Sequence, residues 1–379
     1  MYADQARPAY DAGGLAGVLP AVAGSLGVPG FVAGRDGRLE LPQAKRAVVV
    51  LIDGLGDELL RRRSGHAPFL RSLLPQGRRL AAGFPSSTAT SLASLGTGLP
   101  PGAHGLFGYE AFDPEKQAIF NELSWKDGPD PLAWQPFETV FEKAAATLEV
   151  TSVGQRKFDG SGLTSAALRG PGYAAAEDLE ACVDQTLAVL RNAPRALVYL
   201  YWGRLDQLGH KHGCESWQWG DELENVDAAL RRLCSSMPSG TSVHVTADHG
   251  MVDTADHTRI DLAITPELAN GLRAMAGDAR APHVHVEPGA TADVLAAWRE
   301  TLGERAWVVE RDEAVASGVF GAVDARVIER LGDIVVSMRG TYVVLDSRRA
   351  RPEMMALVGH HGAMSEDEIA IPLLTVEAR

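Results

Sequence analysis

An α/β fold is predicted, with a mostly parallel central sheet sandwiched by helices and a smaller lobe inserted late in the chain. Three observations predict it. Short, continuous apolar runs recur between longer stretches of helical spacing, the pattern of a parallel sheet covered on both faces. Residues able to hold metal ions stand just past three of those runs, where open α/β sheets place their ligand sites. With 379 residues, 45% of them apolar, the chain can bury the core of one large domain with insertions or of two domains.

Residues 46–52 form the first strand, because Val48, Val49, Val50, Leu51 and Ile52 follow one another without a polar break. Helices are expected over 56–63 and 88–95, a strand over 149–153, a long helix over 174–191 and a strand over 196–202. The helix over 219–236 carries Leu223, Val226, Leu230 and Cys234 on one face, at the helical period. Strands at 242–247 and 371–376 complete the core. Between them lie candidate strands 283–286, 306–309 and 333–338 and a candidate helix 291–302. The organisation expected is a core over 1–269, an inserted cap lobe over 270–349, and the end of the core over 350–379. Neither an internal repeat nor a low-complexity tract interrupts it.

Composition narrows the partners. Lys and Arg number 36 against 49 Asp and Glu, for a formal charge of −13, and no basic run offers a face for a nucleic-acid duplex. Cys182, Cys214 and Cys234 are an odd set without C-x-x-C spacing, so they read as buried small hydrophobes of a reducing compartment. The first residues carry an early acid, and Gly and Pro break the stretch 13–34, unlike a secretory leader. No apolar run reaches the roughly 18 residues of a membrane span. A cytoplasmic protein acting on a small substrate, of unspecified oligomeric state, is the expectation.

The chemistry resides in five separated segments. Asp53 follows the first apolar strand, and Gly54 lets the chain turn so that the carboxylate projects; a helix N-cap is the plainer reading of the same residue. Asp206 and His210 stand four apart, so one helical turn aims both at a single ion. Asp248 and His249 close another strand, with Gly250 permitting the turn that brings both to one site. His360 and His361 lie between Gly359 and Gly362, where backbone can approach a bulky centre; His361 is the favoured ligand, and His360 orients or contacts the substrate. Three Asp and three His stock two divalent sites of three protein ligands each.

The fifth segment, Phe84-Pro-Ser-Ser-Thr88-Ala-Thr90, begins a helix of small residues. A hydroxyl there faces unpaired N–H groups and the positive end of the helix dipole, which favours an alkoxide and the phosphoryl group it attacks. Ser86, Ser87, Thr88 and Thr90 each also suit an ordinary N-cap. His283 and His285 alternate along one face of a strand expected to be half exposed, and Trp202, Trp217 and Trp219 are expected in the core.

This ordered set resembles the alkaline phosphatase superfamily, and within it the nucleotide pyrophosphatase/phosphodiesterase branch, over about 48–374. The nucleophilic Thr of that branch lies nine residues before the Thr of a Thr-Gly pair, and nine before Thr97 is Thr88. The resemblance implies two zinc ions, with manganese as the alternative, one held by Asp206, His210 and His361 and the other by Asp53, Asp248 and His249. It implies a phospho-threonyl route to the cleavage of phosphodiester or pyrophosphate bonds in nucleotides or related esters.

Two positions depart from the branch. Its nucleophile is followed by Phe-Pro-Asn, whereas here Pro85-Ser-Ser precedes Thr88. Where relatives place a phosphate-binding Asn after a His-Gly pair, this chain has Tyr109 or Glu110. A Tyr hydroxyl can donate the same hydrogen bond, while a Glu repels a dianionic monoester. A phosphatase, phosphonate-ester hydrolase or phosphomutase on the same core is the alternative enzyme, and a non-catalytic metal-binding protein the alternative of another class.

Overall fold

The computed structural model describes residues 6–11, 13–31 and 39–378. Residues 1–5 and 32–34, part of the stretch examined for a leader, lie outside them. A seven-stranded sheet runs in the order Arg78–Ala81, Ala370–Glu377, Thr241–Thr246, Arg46–Ile52, Ala196–Trp202, Glu149–Gly154, Gly172–Ala175. The last five strands are mutually parallel; Ala370–Glu377 runs antiparallel to them, and the edge strand Arg78–Ala81, antiparallel to Ala370–Glu377, runs in the direction of the five. Val48 to Ile52 are wholly buried. Successive side chains of a strand point to opposite faces, so both faces of the sheet are covered; each such aliphatic side chain contributes about 1.5–3 kcal/mol.

Helix Leu179–Asn192 packs on the strands Glu149–Gly154 and Ala196–Trp202, and Trp217–Ser236 lies beside it. Leu223, Val226 and Leu230 are buried as their spacing predicts. The expected helix over 174–191 starts late: Gly172–Ala175 is an edge strand, and Asp178 caps the helix at Ala181 N. Pairing of the four residues Gly172–Ala175 with Thr151 to Gly154 outweighs a weak local helical signal.

A second, six-stranded sheet runs Ala306–Glu310, Ile334–Met338, Ala281–Val286, Leu272–Asp278, Glu110–Asp113, Ala118–Asn121, antiparallel throughout. It takes a hairpin from early in the chain as well as residues beyond 270. Helix Thr291–Leu302 covers one face through Val294, Leu295, Trp298 and Leu302. The other face carries Trp307, Val309 and Val335 into a cluster with Phe107, Phe320 and Phe84, the last just ahead of Thr88, so the second sheet packs against the nucleophile loop. His283 and His285 are 1% and 4% exposed rather than half exposed, because Phe107 and Phe112 cover them. Cys182 and Cys214 are buried, Cys234 partly so, and all three are free thiols. Among the described residues no helix is long and apolar enough to cross a membrane.

Candidate active site

The parallel register aligns the ends of the three central strands, with Ile52 beside Trp202 and Leu51 beside Thr246. Asp53 and Asp248 therefore emerge side by side, while Asp206 lies in the first turn of the helix Arg204–His212 that follows Ala196–Trp202. His249 Nε2 lies 3.5 Å from both Asp53 Oδ1 and Asp248 Oδ2. His210 Nε2 lies 3.4 Å from Asp206 Oδ2, and His361 Nε2 3.9 Å from Asp206 Oδ1. The His249 and His361 rings stack at 3.6 Å. Asp53, Asp248 and His249 form one group able to hold an ion, and Asp206, His249 and His361 form another; His210, expected beside Asp206 and His361, falls outside both groups although its Nε2 is near Asp206.

The backbone fixes the tautomers. His210 Nδ1 donates to Gly359 O at 2.8 Å, His249 Nδ1 to Gly250 O at 3.0 Å and His361 Nδ1 to Ser86 O at 2.9 Å. A carbonyl only accepts, so each Nδ1 carries the proton and each Nε2 presents a lone pair to the cluster. Burial and the neighbouring imidazoles hold His361 well below the usual range, which keeps it neutral and ready to bind a metal.

The carboxylates are in a costly position by themselves. Asp53 Oδ1, Asp206 Oδ1 and Asp248 Oδ2 are buried without any hydrogen-bond partner, and burial together with neighbouring carboxylates raises the Asp53 and Asp248 carboxyls. Buried acceptors normally find partners. Three bare carboxylate oxygens converging on three imidazole lone pairs fit divalent cations, and the mixed oxygen and nitrogen set suits zinc or manganese.

Thr88 begins the helix Thr88–Thr97, and its Oγ1 donates to His249 Nε2 at 3.1 Å. Of the neighbouring hydroxyls, Ser86 donates to Ala363 O, Ser87 to Asp278 and Ser91 to Asp248 O, while Thr90 Oγ1 is buried without a hydrogen-bond partner. No side chain caps the helix, so its first N–H groups remain for an anion. Beside Thr88, Asp53 and Asp206 lies a cavity of about 220 Å³, walled by Leu92, Leu163, Phe158, Tyr173 and Tyr201, with Lys157 among its lining residues. The Tyr201 hydroxyl donates to Asp53 Oδ2. Trp202 and Trp219 are buried, whereas Trp217 is 70% exposed and does not belong to the core.

The remaining expected residues approach from the second sheet. Tyr109 N donates to Asp278 Oδ2 at 3.4 Å, and Glu110 begins the strand beside Gly277. Burial raises both the Tyr109 hydroxyl and the Glu110 carboxyl. His360 packs edge-on at 6.4 Å from His210, and its Nε2 donates to Leu357 O. Sequence reasoning missed Asp278, whose Oδ1 accepts from Ser87 Oγ at 2.9 Å and whose carboxyl burial pushes up to about 7. A lone Asp in a hairpin has no spacing partner, so no sequence signal marked it.

The sequence model of the type I phosphodiesterase / nucleotide pyrophosphatase family matches residues 47–364. A curated relative, an uncharacterized pyrophosphatase/phosphodiesterase of Schizosaccharomyces pombe, is 25% identical over 229 residues, 56% of this chain and 46% of that protein. The chain thus spans under half the length of that relative. Among solved structures, murine ectonucleotide pyrophosphatase / phosphodiesterase 5 is similar with a TM-score of 0.71 at 19% identity over 88% of each chain. Its inactive threonine-to-alanine variant in complex with AMP gives 0.68 at 19% identity, again over 88% of each. Phosphonoacetate hydrolase from Sinorhizobium meliloti 1021, in complex with phosphonoacetate, gives 0.67 at 18% identity over 91% of this chain and 93% of that one. At these identities the structures establish the fold.

Proposed function

Since the chain belongs to the type I phosphodiesterase / nucleotide pyrophosphatase family, within the alkaline phosphatase superfamily, we propose that it hydrolyses phosphodiester or pyrophosphate bonds of small substrates through a phospho-threonyl intermediate on Thr88. The observation that carries this reading is Thr88 Oγ1 at an uncapped helix start, 3.1 Å from His249 Nε2 and beside three buried carboxylate oxygens without partners. Asp206, His210 and His361 would hold one divalent cation and Asp53, Asp248 and His249 the other. Such ions supply positive charge that lowers the pKa of a nearby hydroxyl and neutralises charge developing on phosphoryl oxygens.

The chain's own groups do the rest. Thr88 gives its proton to solvent and attacks phosphorus as the P–O bond opposite breaks, the departing oxygen taking a proton from solvent; water then attacks the phospho-threonine, the P–Oγ1 bond breaks, and Thr88 regains its hydroxyl proton as phosphate product leaves. Free N–H groups at the start of Thr88–Thr97 receive a non-bridging oxygen. Tyr109 and Glu110 flank the transferred group from the second sheet, Glu110 disfavouring a dianion, while His360 supports His210 from behind. The apolar and aromatic cavity beside Thr88 takes a substituent on phosphorus, which a diester carries and inorganic phosphate lacks.

The test compares turnover of bis-p-nitrophenyl phosphate, p-nitrophenyl phosphate and a p-nitrophenyl phosphonate ester by the zinc-loaded protein. The diester should be preferred; preference for the monoester or the phosphonate would move the chain to the alternative reading, and no turnover at all to a non-catalytic one. Removing the hydrogen bond to Asp53 with Tyr201→Phe should weaken divalent-ion binding by about 10-fold, toward the low end for a residue supporting a ligand, with the fold intact by circular dichroism. Calorimetric titration with zinc checks it.

A further inference from the structure

We propose that the Arg280–Glu368 ion pair is a positioning device that holds the His249 and His361 loops at a fixed separation and thereby sets the affinity of the metal centre. The proposal rests on the metal-ligand reading above. Arg280, in the turn between Leu272–Asp278 and Ala281–Val286, donates Nε to Glu368 Oε1 and Nη2 to Glu368 Oε2, both at 2.7 Å. Both side chains are wholly buried. Arg280 is itself immobilised, since its Nη1 donates to Tyr342 O at 2.7 Å and its carbonyl accepts from Met338 N at 2.8 Å.

Glu368 reaches both histidine loops. Its Oε1 accepts from Ala363 N at 2.9 Å, two residues past His361. The same loop is tied to Ser86, whose hydroxyl donates to Ala363 O and whose carbonyl accepts from His361 Nδ1. The Glu368 carbonyl accepts from Gly250 N at 2.8 Å, and the Gly250 carbonyl in turn accepts from His249 Nδ1. Contact here is close enough that a Cβ on Gly250 would lie 1.9 Å from Asp367 O. With the His249 and His361 rings stacked at 3.6 Å, any slip between the loops changes the spacing of their Nε2 atoms.

A buried ion pair is a poor way to gain stability, because desolvation cancels much of the attraction. A forked guanidinium–carboxylate pair does fix angle and distance. Its position, linking the second sheet to the two loops that present His249 and His361, matches that property.

The test uses Arg280→Lys, which keeps the charge and loses the fork, and the double variant Arg280→Met/Glu368→Gln, which leaves no buried charge unpaired. Arg330→Lys is the control: Arg330 is also buried but donates to Gly105 O and Trp134 O. Cobalt(II) titration followed by visible absorption and calorimetry should show affinity about 10–100-fold weaker in both Arg280 variants, an altered cobalt spectrum, and no change in the control. Wild-type affinity and spectrum in the folded double variant would overturn the proposal. So would an equal loss in Arg330→Lys, or failure of the double variant to fold, either of which would make the pair a requirement of the fold alone. A wild-type protein that binds no divalent ion would instead refute the metal-ligand reading itself.

Discussion

Replacing Thr88 by Ala should lower kcat for a diester on the order of 10⁴-fold or more, the scale of removing a catalytic nucleophile, while zinc content stays at the wild-type level. The hydroxyl sits at the helix start and donates to His249 Nε2, yet the neutral Thr88 is dispensable to the carboxylate and imidazole set that would hold the ions. Catalysis and metal binding therefore separate at this residue. Thr88→Ser should retain measurable turnover, because the hydroxyl persists and only the methyl group that restricts its rotamer is lost. Rapid quench of the wild type, followed by peptide mass spectrometry, should find phosphate on Thr88. Turnover within about tenfold of wild type in Thr88→Ala would mean that water attacks phosphorus directly, and Thr88 would then be an ordinary helix-start residue.

The site was legible where chain geometry leaves little choice. Strand ends followed by Asp53 and by Asp248-His249, and the four-residue spacing of Asp206 and His210, are local patterns that the parallel sheet converts into one cluster. Long-range pairing was less visible. The hairpin formed by Glu110–Asp113 and Ala118–Asn121 is short and partly polar, and its role in the second sheet comes from one bridge between Glu110 and Gly277. Asp278 and Arg280 share that fate. One ends a strand and the other sits in the turn after it, each a single charged residue that gains meaning only when the second sheet folds back onto the nucleophile and histidine loops. The buried His283 and His285 show the same limit: alternation on a strand reveals which residues share a face, but what covers that face is tertiary.

Metal removal should produce the largest change in stability, with a pH dependence whose sign follows from the carboxylates. Burial foremost, and neighbouring carboxylates after it, raise Asp53 and Asp248, and burial brings Asp278 to about 7. A carboxyl with a folded pKa above its unfolded value near 3.9 takes up a proton on folding. Its stabilisation is complete below the unfolded pKa and is lost as pH rises through the folded one. Below about pH 6.5 the buried neutral histidines oppose this, since His104, His283 and His360, held at about 3, take up protons only on unfolding; the chelated protein should therefore melt at progressively lower temperature from about pH 6.5 to pH 8, across the Asp278 midpoint. Bound zinc reverses the trend for Asp53 and Asp248, because ligands must be deprotonated and binding competes with protons. At 1,000 times Kd each site adds about 4 kcal/mol, so two sites should raise Tm by roughly 15 °C, taking about 2 °C per kcal/mol for a chain of this size. The gap between zinc-loaded and chelated melting curves should widen from pH 5 to pH 8, and Asp53→Asn should narrow it from both sides by stabilising the chelated form and weakening zinc binding. Scanning calorimetry at the two pH values decides the matter: a gap that is absent, or that shrinks as pH rises, would show that these buried carboxylates do not serve a cation.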